Sequence, residues 1–119
     1  GVSCIVYDDA TEKCNYQYLA VEVDGEAAGI SRDLLVRLLH AENVLARRHF
    51  YPGCHKMEPY RSLFPHAGLL LPETEKLAAR IMLLPTGTAV NADEISRVCA
   101  LIRLAVEHGH EITNRVNAS

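Results

Sequence analysis

Between Arg47 and Arg61 the chain reads Arg-Arg-His-Phe-Tyr-Pro-Gly-Cys-His-Lys-Met-Glu-Pro-Tyr-Arg. Two adjacent arginines, two histidines, two tyrosines and a lysine sit on a segment stiffened by Pro52 and Pro59. Planar guanidinium forks and hydroxyl groups on such a loop suit a phosphorylated or polyhydroxylated ligand. The alternative is a surface loop of solvated charges and packed aromatics. Zinc fits this region poorly: His49, Cys54, His55 and His66 match no closed-site spacing, and no second ligand pair stands elsewhere. Cys54 beside His55 is no nucleophile–base pair, because adjacent side chains on extended backbone point apart. Cys99 falls on an apolar helical stripe and reads as packing. There is no G-x-G-x-x-G or Walker A pattern, and Thr86-Gly87-Thr88 is too short to cradle a phosphate.

These side chains must be held by flanking elements. Residues 1 to 14 hold a short apolar stretch and a polar turn. From Asn15 to Asp24 the pattern alternates, with Leu19, Val21 and Val23 on the buried face of a strand, and a loop follows at Asp24-Gly25-Glu26 and Gly29. Tyr16 and Tyr18 share the opposite face. Ser31 is an N-cap for a helix from about Arg32 to Glu42, with Leu34, Leu35, Leu38 and Leu39 as its stripe. Val44 to Phe50 reads as a short strand. Residues 51 to 71 carry too many prolines and glycines for a long helix. Pro72 opens a short helix at its first position, and Met82 to Leu84 is a brief buried strand. Asn91 and Glu94 form a capping-box variant at the start of the last helix. Its stripe is Ile95, Val98, Cys99, Ile102, Ala105 and Val106, and Gly109 ends it. His40 and His108 lie near helix C-termini, where a cation is mildly favoured.

The expected fold is α/β in the α+β sense, a small two-layer sandwich with a short, mostly antiparallel sheet covered on one face by helices. Residues 1–109 form the domain, and residues 110–119 a frayed tail. The 119 residues suit one domain, and nearly half are hydrophobic. A formal net charge of −3 with interspersed signs argues against a nucleic-acid binder. No apolar run approaches a membrane span, and no secretory signal is read at the N-terminus. Cys4, Cys14, Cys54 and Cys99 form no C-x-x-C pair and read as reduced thiols in a cytoplasmic protein. The strand-like start at Gly1 reads as a segment of a longer chain.

Asn15-Tyr16-Gln17-Tyr18, the Phe50-Tyr51-Pro52-Gly53-Cys54-His55 and Glu58-Pro59-Tyr60-Arg61 runs, Leu71-Pro72-Glu73-Thr74-Glu75, and Leu84-Pro85-Thr86-Gly87 are similar to the C-terminal domain of the DegT/DnrJ/EryC1/StrS aminotransferases. The resemblance covers about residues 1 to 108. It implies the small domain of a pyridoxal 5'-phosphate enzyme that transaminates a nucleotide-linked 4-keto-6-deoxyhexose or related keto-sugar, with glutamate as donor. It further implies a homodimeric parent whose large N-terminal domain, absent here, binds the cofactor and supplies the Schiff-base lysine. No cofactor is then expected on the isolated chain. Tyr51 and His55 are implied to face substrate or cofactor, with Arg48 and Tyr60 next. Position 49 is usually aromatic in the family and is His49 here. The competing reading is a free-standing binding or assembly module, with Tyr16, Tyr18 and the loop as its interaction face.

Overall fold

The computed structural model describes residues 1–8, 10–88 and 90–118. Four short strands form one open sheet in the order β1-β2-β4-β3, and every pairing is antiparallel. They are β1 (Val2–Cys4), β2 (Leu19–Val23), β3 (Arg47–Arg48) and β4 (Ile81–Leu84). The register sets Val21 opposite Met82 and Leu19 opposite Leu84. Because side chains alternate along a strand, Val21, Val23 and Met82 share one face, and all three are buried.

Helix α1 (Gly25–Ala28) is a single turn, where the sequence reading had a loop; α2 runs Arg32–Ala41. Asp24 Oδ1 caps α1 by accepting from the Glu26 and Ala27 amides, and Gly29 (φ 66°) ends it. Ser31 caps α2, its Oγ accepting from the Leu34 amide at 3.2 Å. Leu35 and Leu39 of α2 pack with Ile30 onto the buried sheet face. Helix α6 (Ala92–Glu107) starts at the expected capping box: Asn91 Oδ1 accepts from the Glu94 amide at 3.0 Å and Glu94 Oε2 from the Asn91 amide at 2.8 Å. Only Ala105 of its stripe is fully buried. Cys99, expected to pack, is exposed, and Ile95 is 53% exposed. The N-terminal half of α6 overhangs the sheet, leaving an apolar groove of about 480 Å³ beside Leu19 and Leu84.

Two further expectations fail for identifiable reasons. The strand expected over Val44–Phe50 shrinks to Arg47–Arg48. His40 Nε2 donates to the Ala46 carbonyl at 2.6 Å and Val44 N bonds back to Leu39 O, so the ladder cannot extend upstream. Downstream, Phe50 turns away with φ 44°. The frayed tail expected at residues 110–119 is instead helix α7 (Gly109–Asn117) as far as it is described. Gly109 does not stop the chain. A Cβ there would lie 2.4 Å from the Ala28 carbonyl oxygen, so the missing side chain lets α7 dock on α1. Thr113 Oγ1 then donates to Gly29 O at 3.0 Å, and Ile112 joins the core.

Residues 51–71 hold a 3-10 turn (Cys54–Lys56) and two one-turn helices, α3 (Tyr60–Leu63) and α4 (Ala67–Leu70). Helix α5 (Pro72–Arg80), opened by its proline, leads directly into β4. No helix among the described residues is long and apolar enough to cross a membrane.

Among the described residues, one charged residue, Arg32, is buried. Arg32 is 2% exposed at the first position of α2, where the helix dipole disfavours a cation. Its guanidinium donates to the Ile81 carbonyl and, at 2.7 Å, to the Ala78 carbonyl, while Nε pairs with Asp33 at 2.7 Å. The Ala78 carbonyl lies in the last turn of α5, where a helix leaves acceptors without intrahelical partners. Arg32→Ala strands the Ala78 carbonyl and leaves the Ile81 carbonyl only the long bond from the His49 amide at 3.4 Å. A buried unsatisfied acceptor is costly, so a loss of about 1–3 kcal/mol is expected. Urea denaturation checks this; Arg32→Lys, which keeps the charge but not the fork, should fall between Arg32→Ala and the parent.

Candidate functional site

The second sheet face carries Ala20 and Ile81 and fronts a groove of about 750 Å³. The turn-rich segment after β3 builds its outer wall, with Phe50, Tyr60 and Phe64 contributing aromatic surface. Phe50, Tyr60 and Phe64 are all more than half exposed. The peptide bonds before Pro52 and Pro59 are both cis.

The four residues singled out from the sequence separate into two pairs. His55 and Tyr60 line the groove together. Arg48 and Tyr51 stack beside it: the Arg48 guanidinium carbon lies 4.3 Å from the Tyr51 ring centroid, within cation–π range. The buried Arg32 guanidinium approaches the same ring at 5.4 Å. Tyr51 thus rests against one arginine of the core and one of the surface. Arg48 spreads its guanidinium over the ring, and no carboxylate among the described residues pairs with it. His49 meets Phe50 edge-on, with ring centroids 4.3 Å apart. Tyr16 and Tyr18 are exposed, but both precede β2 and Tyr16 has φ 51°, so they do not share a strand face.

His55 is held by one hydrogen bond in a space that a glycine leaves open. Its side chain is 9% exposed, and Nε2 donates to Glu75 Oε1 of α5 at 2.6 Å. Lys56 Nζ donates to Glu75 Oε2 at 2.5 Å. Gly53 makes room: at φ 97°, a Cβ would stand 2.7 Å from His55 Cε1. No three His, Cys, Asp or Glu side chains gather as a metal site among the described residues. Sequence reasoning missed Arg32 and Glu75. Arg32 carried a weak signal, a cation at the wrong end of a helix. Glu75 carried none, since nothing local separates it from Glu73.

The hydrogen bond from Lys56, then that from His55, lowers the Glu75 carboxyl below its ordinary value of 4.5. A carboxylate depressed in the fold adds stability that is complete above the unfolded value and lost as pH falls through the folded one. Glu75→Gln should therefore be less stable than the parent at neutral pH. The gap should narrow as pH drops below 4.5. Denaturation midpoints across pH 3 to 7 (roughly the span over which a glutamate titrates) would check this. A gap that stays constant with pH would contradict it.

With the geometry in hand, comparison with known proteins is direct. Residues 2–103 match the model of the DegT/DnrJ/EryC1/StrS aminotransferase family. The chain is 31% identical over 88 residues to the dTDP-4-amino-4,6-dideoxy-D-glucose transaminase of Escherichia coli, covering 74% of this chain and 24% of that protein. The fold superposes on the crystal structure of DesI in the presence of its TDP-sugar product with a TM-score of 0.84 at 49% identity. That match covers 96% of this chain and 29% of the DesI chain. The chain thus spans 24% and 29% of the length of these two relatives. Its sequence runs and its sheet with flanking helices agree with one assignment: the chain belongs to the DegT/DnrJ/EryC1/StrS aminotransferase family.

Proposed function

We propose that this chain is the small domain of a pyridoxal 5'-phosphate-dependent aminotransferase that converts a nucleotide-linked 4-keto-6-deoxyhexose to an amino sugar with glutamate as donor. The observation that carries this reading is surface area. The chain exposes 8756 Å², whereas a self-sufficient protein of its mass exposes about 6,400 Å². The excess, roughly 2,300 Å², is of the size one partner contributes to a large obligate interface. The radius of gyration, 16.1 Å, likewise exceeds the roughly 13.5 Å expected of a compact chain of this length. The extents of 47 × 46 × 23 Å describe a slab. Exposed Phe50, Phe64, Leu69, Leu70 and Ile95 on such a slab suit a body that leans on a larger one.

The cofactor supplies the electron sink for transamination, and its protein must provide a lysine amine, an acid for the pyridinium nitrogen and a phosphate cup. The described residues fit the cofactor poorly. Lys13 and Lys76 are exposed, and Lys56 is bonded to Glu75. This supports assigning the lysine and the cofactor pocket to the large domain, and the chain alone as inactive. The parent is a homodimer in this reading, acting in the cytoplasm.

This segment's share is substrate binding. Arg48, Tyr51, Tyr60 and His55 form the substrate-proximal set. Arg48, over the Tyr51 ring and paired with no carboxylate among the described residues, has N–H donors to offer phosphate oxygens. Tyr60 offers a hydroxyl and an aromatic face at the groove. The purified 119-residue chain should show no stoichiometric cofactor absorbance with pyridoxal 5'-phosphate. Joined to its large domain, it should aminate a dTDP-4-keto-6-deoxyhexose with glutamate. Turnover by the chain alone would defeat this division of labour.

A further inference from the structure

The turn that carries His55 and Lys56 is far in sequence from α5, yet both side chains end on one α5 carboxylate. Twenty residues separate His55 from Glu75, and nineteen separate Lys56 from it. Both carboxylate oxygens are used, one by each partner. The pair is partly shielded, since Glu75 is 31% exposed and His55 is 9% exposed. Room for it is made on two sides. A Cβ on Gly68 of α4 would lie 2.9 Å from Glu75 Oε1, and one on Gly53 would lie 2.7 Å from His55 Cε1. The 3-10 turn, α4 and α5 therefore converge on a single side chain.

That convergence sits behind the groove wall. His55 contributes to the groove that Tyr60 and Phe50 also line, and the bracing at residues 55 and 56 lies between Tyr51 and Tyr60 in the chain. We propose that Glu75 is a positioning residue for the sugar-nucleotide side of the site: by holding His55 and Lys56 it fixes the 49–61 loop that presents Tyr51 and Tyr60. This rests on the aminotransferase reading given above. Glu75 touches no reacting atom in this role. An exposed ion pair alone contributes little. Here one carboxylate joins two donors, and the length of the glutamate side chain lets it reach both.

The test uses the whole holoenzyme carrying this segment, with dTDP-4-keto-6-deoxyglucose and glutamate as probes. Glu75→Ala should raise KM for the sugar about tenfold or more while the single-turnover rate with glutamate stays within about twofold of the parent. Glu75→Gln, able to accept from one partner, should be intermediate. Glu73→Gln removes a charge from the same helix turn without touching the loop, and should change neither quantity. Equal losses in both half-reactions, or an effect of Glu73→Gln matching that of Glu75→Gln, would overturn the proposal. If the parent enzyme does not aminate this sugar, the functional reading fails by itself and backbone hydrogen exchange decides the clamp. Faster exchange across residues 49–61 in Glu75→Ala supports it, and unchanged exchange overturns it.

Discussion

Arg32 is where the core and the loop meet. A guanidinium removed from water at the positive end of a helix is unfavourable on two counts. It persists because the junction of α5 and β4 presents two carbonyls to a planar fork, that of Ala78 with no partner in its helix and that of Ile81 with only a 3.4 Å bond from the His49 amide. The same group approaches the Tyr51 ring. One side chain thus joins the helical layer, the end of α5 and the base of the turn-rich loop. Changes that loosen the core at α2 will be felt at Tyr51, and the reverse holds as well.

The loop keeps its shape through single helical turns, with no ladder to join them. Short turns, two bare glycine positions and one shared carboxylate do the work that a ladder does elsewhere. Its backbone bonds are local ones within single turns, such as Phe64 N to Tyr60 O and Leu71 N to Gly68 O, so how those turns sit against one another depends on side chains. Its exposed aromatic surface is a different matter. Phe50 and Phe64 are 76% and 61% exposed and have little to pack against within the described residues.

Much of the frame was legible in the sequence. The alternation at Leu19, Val21 and Val23, the Ser31 cap, the Asn91–Glu94 box and the proline opening α5 are local signals, and local physics honours them. The errors arose where distant contacts override local pattern. The tail became helix because Gly109 can touch Ala28, a contact 81 positions away in the chain that no periodicity reports. The strand at Val44 was cut short by a histidine that takes the Ala46 carbonyl. The stripe of α6 has the helical period but does not mark burial: Ile95 and Cys99 lie on it and are exposed. At the site, the loop residues announced themselves by type, whereas Arg32 and Glu75 are ordinary residues made important by what they reach.

The sheet is narrow in a way that bears on which contacts this chain can make with another. Its outer strands have three residues in β1 and two in β3. Unpaired strand edges are templates on which foreign backbone can add, and short ones offer little purchase. A slab with so much oily surface is therefore steered toward contact through its broad faces, where side-chain shape discriminates between partners, and away from indiscriminate strand addition along its rim.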